Sequence, residues 1–170
     1  MSRIFLIGYM GSGKSAMGKL LADKLGLTFI DLDAYIENKY RRTIANIFAD
    51  EGETAFREME KNCLHEVSDF EDVVIATGGG APCFFDNMEH MNSCGETIYL
   101  RLTPEHLVQR LSSSKAGVRP LLQNKKGNEL LQQITELLKI REPFYMQAQL
   151  IIEGSDEEIE RQIKLLDSLA

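Results

Sequence analysis

A chain of 170 residues with 44% hydrophobic and 26% charged residues has the composition of one globular domain with its own core. The net charge of −7 argues against a nucleic-acid-binding protein, because no broad basic surface is available to displace counterions from a phosphate backbone. The three cysteines lack metal-site spacing and no apolar run is long enough to span a membrane, so we expect a cytoplasmic protein without a membrane partner.

Short apolar runs alternate with amphipathic stretches along the chain. Each run is rich in Ile, Val, Phe or Tyr and is bounded by Gly, Asp or Pro, which predicts strands. The predicted strands are Arg3–Gly8, Thr28–Leu32, Asp72–Thr77, Glu96–Leu102 and Gln149–Gly154. Their nearly continuous apolar character is typical of parallel strands that are covered on both faces.

Helices are predicted where apolar residues recur every three or four positions. They are Lys14–Leu25, a helix after Thr54, a helix capped by Thr103 with Pro104 in its first turn, Asn128–Arg141, which Pro143 ends or kinks, and a helix opened by a capping box at Ser155–Glu158. Strands that alternate with helices predict a three-layer, doubly wound α/β fold with a parallel five-stranded sheet, and we assign residues 1–170 to one domain.

The segment Gly8–Ser15 reads GYMGSGKS and matches the phosphate-loop pattern G-x-x-x-x-G-K-[ST] in full. It stands between a predicted strand and a predicted helix, which is the context that such a loop requires. Lys14 would contact the β- and γ-phosphates, and the Ser15 hydroxyl would bind Mg²⁺. The predicted nucleotide contacts of the loop are Gly11, Ser12, Gly13, Lys14, Ser15 and Ala16. The chain is therefore predicted to bind a nucleoside triphosphate.

Two acids follow the second predicted strand. Ligands of an open α/β sheet bind beyond the carboxyl ends of its strands, so we assign Asp31 to the magnesium ion, directly or through water. Asp33 points the same way if the strand geometry continues, and it would then accept a proton from a hydroxyl nucleophile or orient it. A turn or a helix N-cap is the alternative reading of this pair, with Asp33 as a cap of a helix that begins near Ala34.

Glycines and arginines supply further candidates. Gly78–Gly80 would let backbone amides approach a ligand closely, although a flexible turn is the alternative. Arg57 and Glu60 lie three residues apart on one helix face, where the acid could hold the guanidinium as a fork for a substrate carboxylate. A solvated arginine is the alternative there, and Arg141 presents the same choice.

Two polar, glycine-containing stretches flank Arg119–Leu122. An arginine between two flexible joints suits a mobile lid over the phosphates, which we place at about 112–127, and a plain surface connection is the alternative. Together, these features predict a kinase that transfers phosphate from ATP–Mg²⁺ to a hydroxyl of a small anionic acceptor near Asp33.

Over most of its length the sequence also resembles the shikimate kinase family. The segments that carry the resemblance are Gly8–Ser15, Phe29–Asp33, Ile44–Glu60, Gly78–Gly80, Arg119–Leu122 and Arg141–Tyr145. The resemblance implies a fold of the P-loop NTPase type that is similar to nucleoside-monophosphate kinases. It also implies ATP- and Mg²⁺-dependent transfer of the γ-phosphoryl group to the 3-hydroxyl of shikimate, in the pathway to chorismate and the aromatic amino acids. The expected partners are shikimate and ATP, and we expect a monomer.

The resemblance further implies a role for each shikimate-binding residue. Asp33 would bind the ring hydroxyls and help deprotonate or orient the attacking one. Arg57 and Arg141 would hold the carboxylate, and the backbone amides of Gly79 and Gly80 would contact the substrate.

On the nucleotide side, the resemblance makes Arg119 the catalytic lid arginine that closes on the phosphates, beside the catalytic Lys14 and Asp33. Arg110 would stack near the adenine. Many relatives carry a basic residue after the last strand, and Glu153–Ser155 stand there in this chain.

Two other kinds of function stay open. One is a kinase for another small polyol acid, such as gluconate, or for a nucleoside monophosphate, although a nucleotide acceptor needs more basic residues than lie near Asp33. The other is a non-catalytic relative that binds nucleotide and regulates a partner. Loss of Lys14 or Asp33 would favour that second function, and both residues are present.

Overall fold

The structure is a computed structural model, and it describes residues 1–113 and 127–166. Most of the predicted lid, including Arg119, lies outside these residues. None of the helices in the described ranges is long and apolar enough to cross a membrane.

Five parallel strands form one sheet in the order β2-β3-β1-β4-β5. They are β1 Arg3–Ile7, β2 Thr28–Asp31, β3 Val73–Ala76, β4 Glu96–Arg101 and β5 Leu150–Glu153. Each predicted strand is confirmed to within one residue at either end. The central strands are buried because helices cover them, and Ile4 to Ile7 of β1 are fully excluded from solvent.

Seven α-helices join and flank these strands in the described residues. They are α1 Lys14–Leu25, α2 Leu32–Tyr40, α3 Ile44–Ser68, α4 Asn87–Cys94, α5 Pro104–Ser113, α6 Gly127–Tyr145 and α7 Asp156–Leu165, with a 3₁₀ turn at Ala81–Cys83. The predicted doubly wound α/β class is confirmed. Helices α1 and α7 pack on each other, and α4 packs against α3 and β4.

The structure confirms the predicted N-terminal caps of two helices. The Thr103 hydroxyl accepts from the backbone N–H of His106 at 3.2 Å, ahead of α5. Ser155 and Glu158 exchange the two hydrogen bonds of a capping box at the start of α7.

Two helix predictions need correction, and one helix was missed. The helix predicted after Thr54 begins ten residues earlier, at Ile44, where the Thr43 side chain caps it. Helix α6 continues two residues beyond Pro143. Helix α4 was not predicted, because its eight residues are mostly polar and bury only Asn87, Met88 and Met91.

Candidate active site

The phosphate loop connects β1 to α1 and closes around Lys14. The ammonium group of Lys14 donates to the backbone carbonyls of Gly8 at 2.7 Å and Tyr9 at 3.0 Å. Gly11 and Gly13 have φ of 78° and 89°, a left-handed conformation that strains any residue with a Cβ. The Ser12 side chain is buried and does not line the cleft described below, so its contact with a nucleotide stays a prediction.

The two predicted magnesium ligands are neighbours. The Ser15 hydroxyl donates to one Asp31 oxygen at 3.0 Å, and the other oxygen of Asp31 accepts from the Ala34 N–H at 3.1 Å. Asp31 is therefore the N-cap of α2, and the prediction that Asp33 could fill that role is wrong. Hydroxyl and carboxylate oxygens are suitable Mg²⁺ ligands, and a Mg²⁺ site completes its shell with water and phosphate oxygens.

Asp33 lies in the first turn of α2, because the strand ends at Asp31. The assumption that strand geometry continues to Asp33 is thus wrong, yet both acids reach the same cleft. Burial, followed by the charge of Asp31, raises the pKa of Asp33, while the Lys14 ammonium opposes the shift.

Each of the three consecutive glycines faces a different charged side chain. A Cβ built on Gly78 would lie 2.9 Å from an Asp33 oxygen, and one on Gly79 would lie 3.3 Å from Arg141 Nη1. A Cβ on Gly80 would lie 2.6 Å from both terminal nitrogens of Arg57. These glycines are needed for close approach of side chains, since none of the three has a φ in the left-handed region.

Arg57 is buried and held in place by acids and aromatic rings. Its Nη1 donates to Glu60 at 2.9 Å, and its Nε and Nη2 lie 3.4 and 3.3 Å from Glu53. The guanidinium carbon lies 4.2 Å from the Phe84 ring centroid and 5.2 Å from that of Phe56. The alternative of a solvated arginine is therefore excluded. Burial raises the pKa of Glu60 to about 6, against the opposing effect of Arg57.

Arg141 lies one turn before the end of α6 and faces the same pocket. Its Nη1 is buried and has no hydrogen-bond partner among residues 1–113 and 127–166. A buried guanidinium nitrogen without an acceptor is costly unless a ligand completes it. Arg141 therefore offers a donor for an anion from solution.

Arg110 is held against the phosphate loop from α5. Its Nε donates to the Gly11 carbonyl at 2.7 Å, and its Nη1 donates to Asp156 at 2.7 Å. His106 Nε2 also lies 3.2 Å from that Asp156 oxygen. The contact of Arg110 with an adenine ring stays a prediction.

One cleft of about 880 Å³ collects these residues at the carboxyl ends of the strands. Its lining includes Gly11, Gly13, Lys14, Ser15, Ala16, Asp31, Asp33, Arg57, Glu60, Gly78, Gly79, Gly80, Arg110 and Arg141. One part of this lining is the phosphate loop with Ser15. The other part, composed of Asp33, Arg57, Gly78–Gly80 and Arg141, we call the acceptor pocket.

Sequence reasoning missed several residues that shape this cleft. Ile44 and Phe48 line it from the first part of α3, and Asp156 lines it beside Arg110. Phe84 covers the Arg57 guanidinium from beyond the 3₁₀ turn. A predicted start of α3 at Ile44 would have put Ile44 and Phe48, four residues apart, on one face of the helix. No local signal identifies Phe84 or Asp156.

The chain is similar to known proteins along nearly its whole length. A family model described as shikimate kinase matches residues 10–168. A shikimate kinase of Phocaeicola vulgatus is 51% identical over 170 residues, which cover 99% of this chain and 97% of the relative. The crystal structure of shikimate kinase from Bacteroides thetaiotaomicron superposes with a TM-score of 0.91 at 49% identity, covering 97% of this chain and 96% of the other. Shikimate kinase from Acinetobacter baumannii in complex with shikimate has a TM-score of 0.86 at 37% identity, covering 96% and 89%.

Proposed function

The chain belongs to the shikimate kinase family and is a kinase that phosphorylates a hydroxyl of shikimate, and we propose how the residues of its cleft divide this work. ATP binds on the phosphate loop, and shikimate binds in the acceptor pocket with its 3-hydroxyl toward the γ-phosphate. The observation that supports this best is that Lys14, Asp33, Arg57 and Arg141 line one cleft.

The carboxylate of shikimate is held mainly by Arg141. Glu60 and Glu53 already balance Arg57, whereas Arg141 Nη1 is a buried donor without an acceptor in the described residues. A carboxylate placed between the two guanidinium groups would satisfy this donor and share the second one. The backbone amides of Gly79 and Gly80 would line the same side, because no Cβ stands between them and the substrate.

Ser15 and Asp31 would hold the Mg²⁺ that accompanies ATP. Their oxygens lie 3.0 Å apart, so both would be available to one ion. That ion would supply positive charge that offsets the negative charge of the ATP phosphates.

Lys14 and Asp33 act on the reacting groups. Lys14 exchanges its carbonyl contacts for oxygens of the β- and γ-phosphates and offsets their charge in the transition state. Asp33 orients the 3-hydroxyl in line with the γ-phosphorus and takes its proton as the new P–O bond forms and the bond to ADP breaks. Its raised pKa makes it a better proton acceptor than an ordinary aspartate. Arg119, outside the described residues, is proposed to add positive charge at the transferring group, and Arg110 to contact the adenine.

We further propose that the protein acts as a cytoplasmic monomer without a nucleic-acid partner. Cys63, Cys83 and Cys94 are free thiols, which supports a reducing compartment. The net charge of −7 supports the absence of nucleic acid.

The test is a coupled ADP-release assay with shikimate, gluconate and a nucleoside monophosphate as acceptors. We expect ADP release that depends on shikimate alone, and a fall in kcat of about 10²–10³-fold for Lys14→Ala. Arg57→Ala and Arg141→Ala raise the KM for shikimate, while Arg161→Ala, an exposed arginine of α7, serves as the control.

Two results would contradict the proposal. Tight ATP binding without stimulation by any acceptor would indicate a nucleotide-binding module. A rise in the KM for ATP alone in the Arg57 and Arg141 variants would remove these arginines from the carboxylate site.

A further inference from the structure

The last turn of α6 lacks part of its own hydrogen-bond ladder. Pro143 has no backbone N–H and so cannot donate to the carbonyl of Lys139, four residues earlier. Arg141 lies between Lys139 and Pro143, next to the missing hydrogen bond, and lines the acceptor pocket. A guanidinium that must hold a carboxylate in fixed geometry therefore needs support from outside the helix.

Two side chains next to Arg141 supply that support. Glu142 accepts from the Tyr99 hydroxyl at 3.0 Å and pairs with Arg101 at 2.8 Å, which ties the helix to β4. Tyr145 is fully buried, its ring centroid lies 5.1 Å from that of Tyr99, and its hydroxyl donates to the backbone carbonyl of Gly79. Glu142 therefore connects α6 to the sheet, whereas Tyr145 connects α6 to Gly79 in the acceptor pocket.

The Tyr145 hydroxyl thus joins two walls of one pocket. Gly79 is the middle glycine of the loop after β3, and its Cα faces Arg141 Nη1 closely enough that a Cβ would lie 3.3 Å from it. Residues 141 and 145 are one helical turn apart, so the two side chains lie on the same side of α6. Burial raises the pKa of Tyr145, against the effect of the Arg141 guanidinium, so the hydroxyl remains protonated and able to donate.

We propose that Tyr145 is a positioning residue for the kinase reaction, whose hydroxyl sets the distance between Arg141 and the loop Gly78–Gly80 and thereby the affinity for the carboxylate of shikimate. The inference rests on the proposed function, because it takes Arg141 as the carboxylate-binding group. Tyr145 does not touch the reacting atoms, and its effect acts through Arg141 and Gly79.

The test compares Tyr145→Phe with Tyr99→Phe. Both variants lose one buried tyrosine hydroxyl and keep the ring, but the Tyr99 hydroxyl bonds Glu142, which Arg101 still holds. We expect Tyr145→Phe to raise the KM for shikimate roughly three- to tenfold, because one hydrogen bond is lost. The kcat and the KM for ATP should change less than about twofold. Tyr99→Phe leaves all three within about twofold.

A double-mutant cycle shows whether the effect passes through Arg141. In the Arg141→Ala background, Tyr145→Phe should leave kcat/KM for shikimate within about twofold, because the group that it positions is gone. Melting temperatures of all variants are measured, and assays run well below them.

Three outcomes would overturn the inference. They are equal shikimate KM values for the two tyrosine variants, a full-sized effect of Tyr145→Phe in the Arg141→Ala background, and loss of folded protein in Tyr145→Phe but not in Tyr99→Phe. A wild-type protein that ignores shikimate would instead refute the proposed function itself, so the two failures are distinguishable.

Discussion

The Glu60 carboxylate holds Arg57 in position, and its burial makes the free energy of unfolding depend on pH. The carboxylate is only 1% exposed and lies 2.9 Å from Arg57 Nη1, so it fixes the guanidinium in the acceptor pocket. Burial disfavours its ionised form, which is why its pKa rises to about 6 from the usual 4.5 of a glutamate. The sequence spacing predicted the pair, but not the burial that gives it this property.

We expect Glu60→Gln to change how stability depends on pH. Between pH 4.5 and 6 the folded protein binds the Glu60 proton more tightly than the unfolded chain does. The stabilisation that this provides is complete below pH 4.5 and is lost as pH rises through 6, a change of about 2 kcal/mol. The measurement is the free energy of unfolding in urea for wild type and Glu60→Gln. The value for Glu60→Gln minus the value for wild type should increase by about that amount from pH 4.5 to pH 7.

Glu58→Gln is the matched control, since it removes one charge from the exposed side of the same helix. Parallel pH profiles for wild type and Glu60→Gln would show that Glu60 titrates as an ordinary glutamate.

Helix α3 is two helical segments with a break between them. Gly52 has φ 85° and ψ 173°, inside a helix that otherwise runs from Ile44 to Ser68. The first segment brings Ile44 and Phe48 to the cleft, and the second brings Arg57. Without the break, these groups would follow one straight axis. Sequence patterning predicted only the second segment, because a glycine within a helical pattern suggests an end rather than a bend.

The Gly52→Ala variant should be destabilised by about 1–3 kcal/mol, because residues with a Cβ rarely adopt that backbone conformation. Nothing lies within 4 Å of the added methyl group, so the cost comes from backbone strain and not from a clash. Gly127→Ala, which also meets open space, is the control and should change the free energy of unfolding far less. Chemical denaturation of both variants measures the difference, and equal stability of the two would contradict the strain at Gly52.

The cleft depends on the order of the strands and not on any one segment. Strand β3 lies between β1 and β2, which places Gly78–Gly80 between the phosphate loop and Asp33. The end of α6 reaches the same place from more than 60 residues further along the chain. The phosphate loop and the acceptor pocket therefore share one wall of the cleft, while their main charged side chains come from different helices.

This arrangement predicts separable ligand effects on thermal stability. Shikimate at about 100 times its Kd should stabilise the wild-type protein by about 2.7 kcal/mol. At the same concentration, Arg141→Ala should show little shift in melting temperature with shikimate, because its Kd is raised, but an undiminished shift with ATP–Mg²⁺. Differential scanning fluorimetry makes the measurement, and the exposed Arg161→Ala is the control. An equal loss of both shifts would mean that Arg141 supports the whole cleft.

Local patterns were enough to predict much of this protein. The eight-residue phosphate loop, the five apolar strands, the cap at Thr103 and the spacing of Arg57 and Glu60 are all encoded within a few neighbouring residues, where helix and strand periodicity act. The resemblance to shikimate kinases rests on the same kind of short segments. These features lead to the fold class and to the identity of the charged groups.

Contacts between distant segments could not be predicted from such patterns. Several contacts join residues that lie far apart in the chain. Asp33 faces Gly78, and Arg57 faces Gly80 and lies under the Phe84 ring. The Tyr145 hydroxyl donates a hydrogen bond to Gly79. These contacts exist because parallel strands need crossover connections, and the packing of those crossovers sets which loops meet at the carboxyl edge of the sheet. Local periodicity carries no information about that choice, so these pairings emerge only once the strands have assembled.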